Sequence, residues 1–120
     1  MIQEQLAFLP GSLPDYQPFP PAKERTAWQA LPLRAKQRFL QAGETALQTS
    51  LAPLPLTLWL DFTRTGRRTA WETAYFSRRA RLCALVSAEC VEHKGRFLGA
   101  IADTVWALCE ESAWQLPAHN

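Results

Sequence analysis

The sequence predicts an all-α protein built from antiparallel helical hairpins. Two observations carry this prediction. Apolar residues recur at steps of three and four in the second half of the chain, and prolines and glycines divide the first half into short segments. With 120 residues, 48% of them hydrophobic, the chain is long enough for one domain with a modest core. We divide it into an N-terminal segment with a proline-rich strap, residues 1–21, and a helical domain, residues 22–120.

The N-terminal segment is expected to contain little regular structure. Residues 1–9 form a short helix only if it docks on the body, and Pro10 and Gly11 end it. Prolines recur from residue 10 to residue 21 and prevent a helix there. Tyr16 and Phe19 are expected to anchor this strap on the helical domain.

Three helices are predicted in the middle of the chain. They cover residues 22–31, residues 33 to about 50 and residues 56–62, with prolines at the breaks between them. Residues 56–62 alternate well enough for a strand, but an isolated strand would leave its backbone unpaired, so a helix is favoured. The second helix has an apolar face that Gly43 interrupts. That face consists of Ala35, Phe39, Ala42, Ala46 and Leu47.

A long helix from Thr69 to about His93 and a second helix from Arg96 to about Ser112 form the predicted hairpin, with Gly95 as its left-handed stop. The long helix has a bulky apolar face and, opposite it, a face of small residues that lets a partner backbone come close. The bulky face holds Trp71, Tyr75, Leu82, Leu85 and Val86; the small face holds Thr73, Ser77, Ala80, Ala84, Ser87 and Val91. Both helices are therefore expected to have neighbours beyond the hairpin.

Charge and composition argue against several classes of function. A net charge of +2 is too small to indicate a nucleic-acid partner, and no stretch has the ~18 apolar residues of a membrane-spanning helix. The N-terminus does not resemble a signal peptide, so a cytoplasmic location is expected. The cysteines lack metal-site spacing and are expected to be buried reduced thiols, and no cofactor motif is found. The sequence thus predicts neither a metal nor a cofactor.

Arginines between residues 64 and 81 form the longest basic cluster. Guanidinium groups bind carboxylates, sulfates and phosphates through two parallel hydrogen bonds, so an anionic polymer is one possible partner. A solvated rim partly paired with Glu72 is the alternative, and it is favoured because exposed ion pairs of this kind are common and nearly neutral in energy. The cluster consists of Arg64, Arg67, Arg68, Arg78, Arg79 and Arg81.

Glu89 and His93 are one candidate pair of functional residues. They lie one turn apart on the bulky face of the long helix, where an ionisable group needs a partner. One interpretation is a carboxylate that orients an imidazole toward a substrate. The other is that this face opens to solvent at its C-terminal end, where the helix dipole favours a histidine.

The C-terminal residues are the main candidate for substrate binding. Glu110 and Glu111 end a helix, where carboxylates oppose the helix dipole, so another use for them is suspected. Trp114, His119 and Asn120 follow in what is expected to be an extended segment. An aromatic plate beside an imidazole and an amide suits stacking on a sugar ring and hydrogen bonding to its hydroxyls. An ordinary loop between helices remains the alternative.

Two runs of sequence carry a resemblance to a known family: YFSRRARLCALVSAECVEHKGRFL at residues 75–98 and IADTVWALCEESAWQLPAHN at residues 101–120. They resemble the N-terminal part of heparinase II/III-like proteins, and the similarity extends from about Leu56 to Asn120. Members of that family are polysaccharide lyases or their relatives, with an N-terminal (α/α) toroid and a C-terminal β-sandwich domain. The resemblance implies β-elimination on uronic-acid-containing glycans, and hence an acidic polysaccharide as partner.

The family's catalytic segments come later in the chain than anything present here, so no catalytic residue is assigned. The resemblance implies a partial toroid: an N-terminal fragment of a lyase that is inactive alone and self-associates through uncovered apolar faces. The alternative is a small helical interaction or scaffold protein whose exposed faces bind a partner chain.

Overall fold

The computed structural model describes residues 17–119, and the longest helix is its central element. No strand occurs between these residues, so the predicted all-α class is confirmed, and residues 56–62 are helical as expected. The elements are α1 (Arg25–Gln29), α2 (Leu33–Gln48), α3 (Leu56–Thr65), α4 (Thr69–Glu92), α5 (Leu98–Cys109) and a 3₁₀ turn (Pro117–His119).

Helices α2 and α5 both run antiparallel to α4. On one side, Gly43 of α2 lies against Ala88, while the end of α2 lies against Arg81, one to two turns earlier in α4. On the other side, Arg81 hydrogen-bonds Thr104 of α5, and Arg78 pairs with Glu111 just beyond α5. The expectation that α4 has a neighbour beyond the hairpin is therefore confirmed.

The contact between α2 and α4 is made through small residues. A Cβ atom placed on Gly43 would lie 2.3 Å from the Ala88 Cβ and 3.0 Å from Cε1 of Phe97, too close for any side chain. The glycine that interrupts the predicted apolar face of α2 is thus its closest point of contact. The buried face of α2 differs from the predicted apolar face: Gly43 and Ala46 are buried, whereas Phe39 and Leu47 are exposed.

The core is small and lies where α2, α4 and α5 meet. Leu85 and Ala88 of α4 and Phe97 at the start of α5 are completely buried, and Ala46 of α2 packs against them. Partly buried residues surround this cluster: Leu40, Ala84, Ala100 and Ile101. Burial of apolar surface is non-directional and favourable in proportion to area, so this junction holds the three helices together.

The turn between α4 and α5 is built on a buried carboxylate. The helix ends at Glu92, close to the predicted end at about His93, and His93 is its left-handed cap, with φ 58°. Gly95 is left-handed as predicted, with φ 80°. The Glu89 carboxylate accepts hydrogen bonds from the backbone N–H groups of Gly95 at 2.7 Å and Phe97 at 3.2 Å. Because these amides lack partners within a helix, Glu89 stabilises the turn that carries Phe97 into the core.

Arginine side chains cap the C-terminal ends of two helices. Arg25 donates to the carbonyls of Cys90 at 2.7 Å and Val91 at 2.8 Å, at the end of α4. Arg81 donates to two carbonyls at the end of α2. The last carbonyls of a helix have no partners within it and carry the negative end of its dipole, which explains why both caps are cationic.

The first described segment, up to the end of α1, differs from the prediction. Helix α1 is only Arg25–Gln29, shorter than the predicted 22–31, and it buries Trp28, whose indole N–H donates to the Pro21 carbonyl at 3.2 Å. Phe19 is 75% exposed and does not anchor the strap. Tyr16 and the predicted helix at residues 1–9 lie outside the described residues.

Helix α5 is shorter at both ends than the predicted 96–112. At its start, residues 95 and 96 belong to the turn that Glu89 holds. At its end, the chain leaves the helix after Cys109, and this places Glu111 where two arginines of α4 reach it. Tertiary ion pairing and turn geometry therefore override local helix propensity at these ends.

Candidate functional site

An open cleft of about 530 Å³ lies between α3, the first half of α4 and the residues after α5. Trp71, Tyr75 and Arg78 lie on one face of α4 because they are spaced by four and three residues. Of these, Trp71 and Arg78 line the cleft directly. Its other lining residues include Leu56, Trp59, Glu110, Glu111 and Ser112.

Aromatic rings form the wall of this cleft. Trp59 of α3 meets Trp71 edge to face, with ring centroids 5.1 Å apart. Trp71 stacks at 6.4 Å on Tyr75, and its own surface is only 5% exposed. Such aromatic pairs stabilise packing beyond the area they bury. The wall therefore holds α3 against α4 and gives the cleft a fixed apolar side.

Glu111, which lines the cleft, forms ion pairs with two arginines of α4. Its carboxylate pairs with Arg78 at 2.8 Å and Arg79 at 2.6 Å, and the Glu111 side chain is 2% exposed. The Arg79 guanidinium also lies 3.2 Å above the Tyr75 ring, a cation–π arrangement. This ion pairing gives the carboxylate partners within the fold, although it opposes the dipole at the end of α5.

The sequence contained a signal for this ion pair that was not used. Arg78 precedes Gly95 by 17 residues and Glu111 follows it by 16. In an antiparallel hairpin, residues at nearly equal distances from the turn lie opposite each other. The spacing of Arg78 and Glu111 from Gly95 therefore predicts an ion pair between them.

Two buried hydrogen-bond donors in the cleft wall have no acceptor within residues 17–119. They are the indole N–H of Trp71 and the Nε–H of Arg78. A buried donor without a partner costs about 1–3 kcal/mol, and native structures contain few of them. Both residues line the cleft, but the two donor atoms themselves are enclosed by the protein. One buried acceptor, Glu72 Oε1, also has no hydrogen-bond partner among these residues, and it lies 3.5 Å from Arg68 Nε in an ion pair.

The predicted substrate-binding residues occupy different environments. Trp114 is 66% exposed, and its backbone carbonyl accepts a hydrogen bond from the Tyr75 hydroxyl at 3.0 Å. His119 is exposed in the 3₁₀ turn, where Pro117 is buried, so the segment is not extended throughout as predicted. Asn120 lies outside the described residues. Of the four candidates, Glu111 is the one that lines the cleft.

Glu89 and His93 lie at the opposite end of α4 from the cleft. Glu89 is buried, and each of its oxygens accepts a hydrogen bond from a backbone amide of the turn. His93 is exposed and adopts the left-handed conformation that ends the helix. The role that the geometry gives to Glu89 is to hold the α4–α5 turn.

The cysteines do not share one environment. Cys83 and Cys109 are exposed, so the expectation of buried thiols was wrong for these two. Cys90 is half-buried, and loss of hydration raises the pKa of its thiol, with Glu89 adding to the increase and Arg25 opposing it. In the part of the chain from residue 17 to residue 119, no cluster of three or more histidine, cysteine or acidic residues could hold a metal ion.

The arginine cluster divides into two groups. Arg64, Arg67 and Arg68 are exposed, and Arg68 pairs with Glu72, which matches the solvated rim. Three others point to partners inside the molecule, and the solvated-rim interpretation was wrong for them: Arg78, Arg79 and Arg81. Internal carboxylates and carbonyls, rather than an external polymer, therefore bind half of the cluster.

Comparison with known proteins adds no assignment, since no protein-family model and no curated protein matches the chain. Among the helices between residues 17 and 119, none has the length and apolar character needed to cross a membrane. The features that bear on function are an aromatic cleft and uncovered apolar helix faces.

Proposed function

We propose that these helices are the opening part of an (α/α) toroid in a polysaccharide lyase similar to the heparinase II/III proteins. The parent enzyme would act by β-elimination on uronic-acid-containing glycans, and this chain would be inactive alone. The observation that carries the proposal is the outer face of α5. It leaves apolar side chains exposed although α4 is already packed on both sides.

The exposed face of α5 is a continuous apolar stripe. Leu98, Ala102, Val105 and Cys109 recur at steps of four, three and four residues, and all are exposed. Trp106 lies beside them and is 69% exposed. An uncovered stripe at helical spacing is the surface on which a further antiparallel helix packs. Helical arrays, including toroids, grow by adding such helices.

The polar groups of the cleft support a framework role for this chain. β-Elimination needs one group that neutralises the uronate carboxylate and another that takes the C5 proton. The Arg78 guanidinium is paired with Glu111, and the Tyr75 hydroxyl donates to the Trp114 carbonyl. These groups are engaged within the fold, so we assign the catalytic steps to residues outside this chain.

The test compares this chain with a longer one. The 120-residue chain and a chain extended through the coding sequence beyond Asn120 are each mixed with heparin, heparan sulfate and chondroitin sulfate, and the absorbance of unsaturated uronate is followed. We expect product from the longer chain only. Product from the 120-residue chain would overturn the framework role, and no product from the longer chain on any uronate glycan would overturn the lyase assignment.

A helical interaction module is the second candidate, because the same stripe on α5 would equally bind a partner chain. In either case the isolated chain should self-associate, and Trp106→Asp should reduce the association in sedimentation experiments by placing a charge on the stripe. A compact, stable monomer of the unmodified chain would contradict both candidates. Coding sequence that stops directly after Asn120 would favour the interaction module, and a long open frame would favour the lyase.

A further inference from the structure

The exposed face of α5 has one protruding part and one recessed part. Trp106, in the second half of the helix, is 69% exposed. In the first half, Gly99 and Ala102 are exposed and have little or no side chain, and a Cβ atom on Gly99 would meet nothing within 4 Å. When two copies of a helix pack antiparallel, the second half of each lies against the first half of the other. The indole of each copy would then fill the recess of its partner.

The charged residues at the two ends of this face are complementary. Lys94 lies in the turn before α5, next to Gly95, and a Cβ atom on Gly95 would lie 3.6 Å from Leu98 Cδ1. Glu110 follows α5, one turn after Trp106. Lys94 and Glu110 are both exposed, and neither forms an ion pair among residues 17–119. The face therefore has an unpaired positive charge at its start and an unpaired negative charge at its end.

These charges favour an antiparallel pairing of two copies over a parallel one. In an antiparallel pair, Lys94 of each copy lies near Glu110 of the other, so a two-fold axis generates two attractive contacts. A parallel pair would bring the two lysines together at one end and the two glutamates together at the other. The helix dipoles are also opposed only in the antiparallel arrangement, which removes their mutual repulsion.

We propose that the exposed face of α5 binds the same face of a second copy of this chain, antiparallel, in a closed two-fold dimer. The proposal rests on the self-association proposed above and specifies its partner and its geometry. In a longer lyase chain a following helix would cover the same face, so the dimer is expected of the 120-residue chain. Two helices of 12 residues bury less than a standard interface of about 1,600 Å², and we therefore expect a dissociation constant in the micromolar range.

Sedimentation equilibrium of charge-reversal variants tests the pairing at low ionic strength, where exposed charges are least screened. Lys94→Glu and Glu110→Lys each create two like-charge contacts in the dimer, so each variant alone should dimerise about tenfold more weakly than the unmodified chain. In an equimolar mixture, the two variants meet with opposite charges at both contacts. The mixture should therefore dimerise about as tightly as the unmodified chain, and circular dichroism checks that each variant is folded.

Lys23→Glu is the matched control for Lys94→Glu. Lys23 is exposed and lies outside α5, and the substitution changes the net charge by the same amount, so it should leave the dimer unchanged. Equal weakening by Lys23→Glu and Lys94→Glu would overturn the proposal, because only the net charge would then matter. A mixture of the two charge-reversal variants that associates no more tightly than its components would also overturn it.

The dimer and the lyase proposal fail in different ways. Association that continues beyond the dimer would overturn the two-fold geometry and leave the lyase proposal standing. A longer chain that cleaves no glycan, together with restored dimerisation in the mixture of variants, would overturn the lyase proposal and leave the dimer standing.

Discussion

The two ends of α4 are packed against their neighbours in different ways. At the C-terminal end, Leu85, Ala88 and Phe97 are completely buried, and Gly43 leaves no room for another atom. At the N-terminal end, the same helix meets aromatic rings and an ion pair around a cleft of about 530 Å³, and two buried donors of its lining residues lack acceptors. The first end is closely packed, whereas the second combines a cleft with buried donors that packing leaves unpaired.

The difference follows from the residue types that face each neighbour. Small apolar residues at the C-terminal end let two helices approach until the contact is complete, because nothing needs a directed partner. Indole and guanidinium groups at the N-terminal end bury large surfaces but also carry N–H groups that need acceptors in specific directions. Packing at the N-terminal end therefore leaves two donors without acceptors.

The largest loss of stability is expected from removing a buried side chain at the C-terminal end of α4. Phe97→Ala removes a completely buried ring and should lower the free energy of unfolding by about 3–5 kcal/mol, measured by urea denaturation. Phe76→Ala is the matched control, since Phe76 is exposed, and its loss should be well under half as large. Similar losses for the two variants would contradict the assignment of the core to the C-terminal end of α4.

The next largest loss of stability is expected from adding a methyl group where α2 and α4 touch. Gly43→Ala places a methyl group 2.3 Å from the Ala88 Cβ, so α2 and α4 must separate, and we expect a loss of about 1–3 kcal/mol in unfolding free energy. Gly99→Ala is the control: its Cβ meets nothing within 4 Å, and alanine should stabilise helix α5 by up to about 1 kcal/mol. A stabilised Gly43→Ala variant would show that the two helices do not touch there.

At the other end of α4, Glu111→Gln should destabilise the chain by about 1–3 kcal/mol, because it leaves the largely buried Arg78 guanidinium without its anion. Glu110→Gln, at the exposed neighbour, should change the stability by less than about 0.5 kcal/mol. Urea denaturation of both variants measures the difference. Equal, small effects would mean that the ion pair does not hold the C-terminal segment against α4.

The smallest effect is expected at the surface, where Arg96 pairs with Glu44 of α2 and Glu92 of α4. The hydrogen bond from Arg96 lowers the pKa of the Glu44 carboxyl below its ordinary value. The stability from this pair is therefore present above the ordinary glutamate pKa, and it is lost as the pH falls through the lowered pKa.

Glu44→Gln tests this surface pair. We expect a small decrease in the urea midpoint at neutral pH, which disappears in acid and in high salt because the pair is exposed. Glu24→Gln serves as a control at another exposed acidic residue. A Glu44→Gln effect that persists in acid would show that the carboxylate charge is not responsible.

Helix positions were largely predictable, whereas the roles of individual polar residues were not. The spacing of apolar and small residues in α4 correctly indicated neighbours on both sides, since helical periodicity is local. The role of Gly43 was missed. In the sequence of one helix a glycine only interrupts the apolar pattern, and its role as a close contact is visible only when the second helix lies against it. Glu111 was a candidate for substrate binding, and the structure pairs its carboxylate with Arg78 and Arg79, which had been assigned to a solvated rim.

By itself, the sequence determined the helical class, the number and approximate bounds of the helices from residue 22 onward, and the two-sided character of α4, because these depend on periodicity and on proline and glycine breaks. Only the tertiary structure decided that Glu89 holds a turn, that arginines cap neighbouring helices, and that Trp71 and Arg78 share one cleft. The physical reason is that these contacts join residues far apart in the chain, and their geometry depends on how the helices pack.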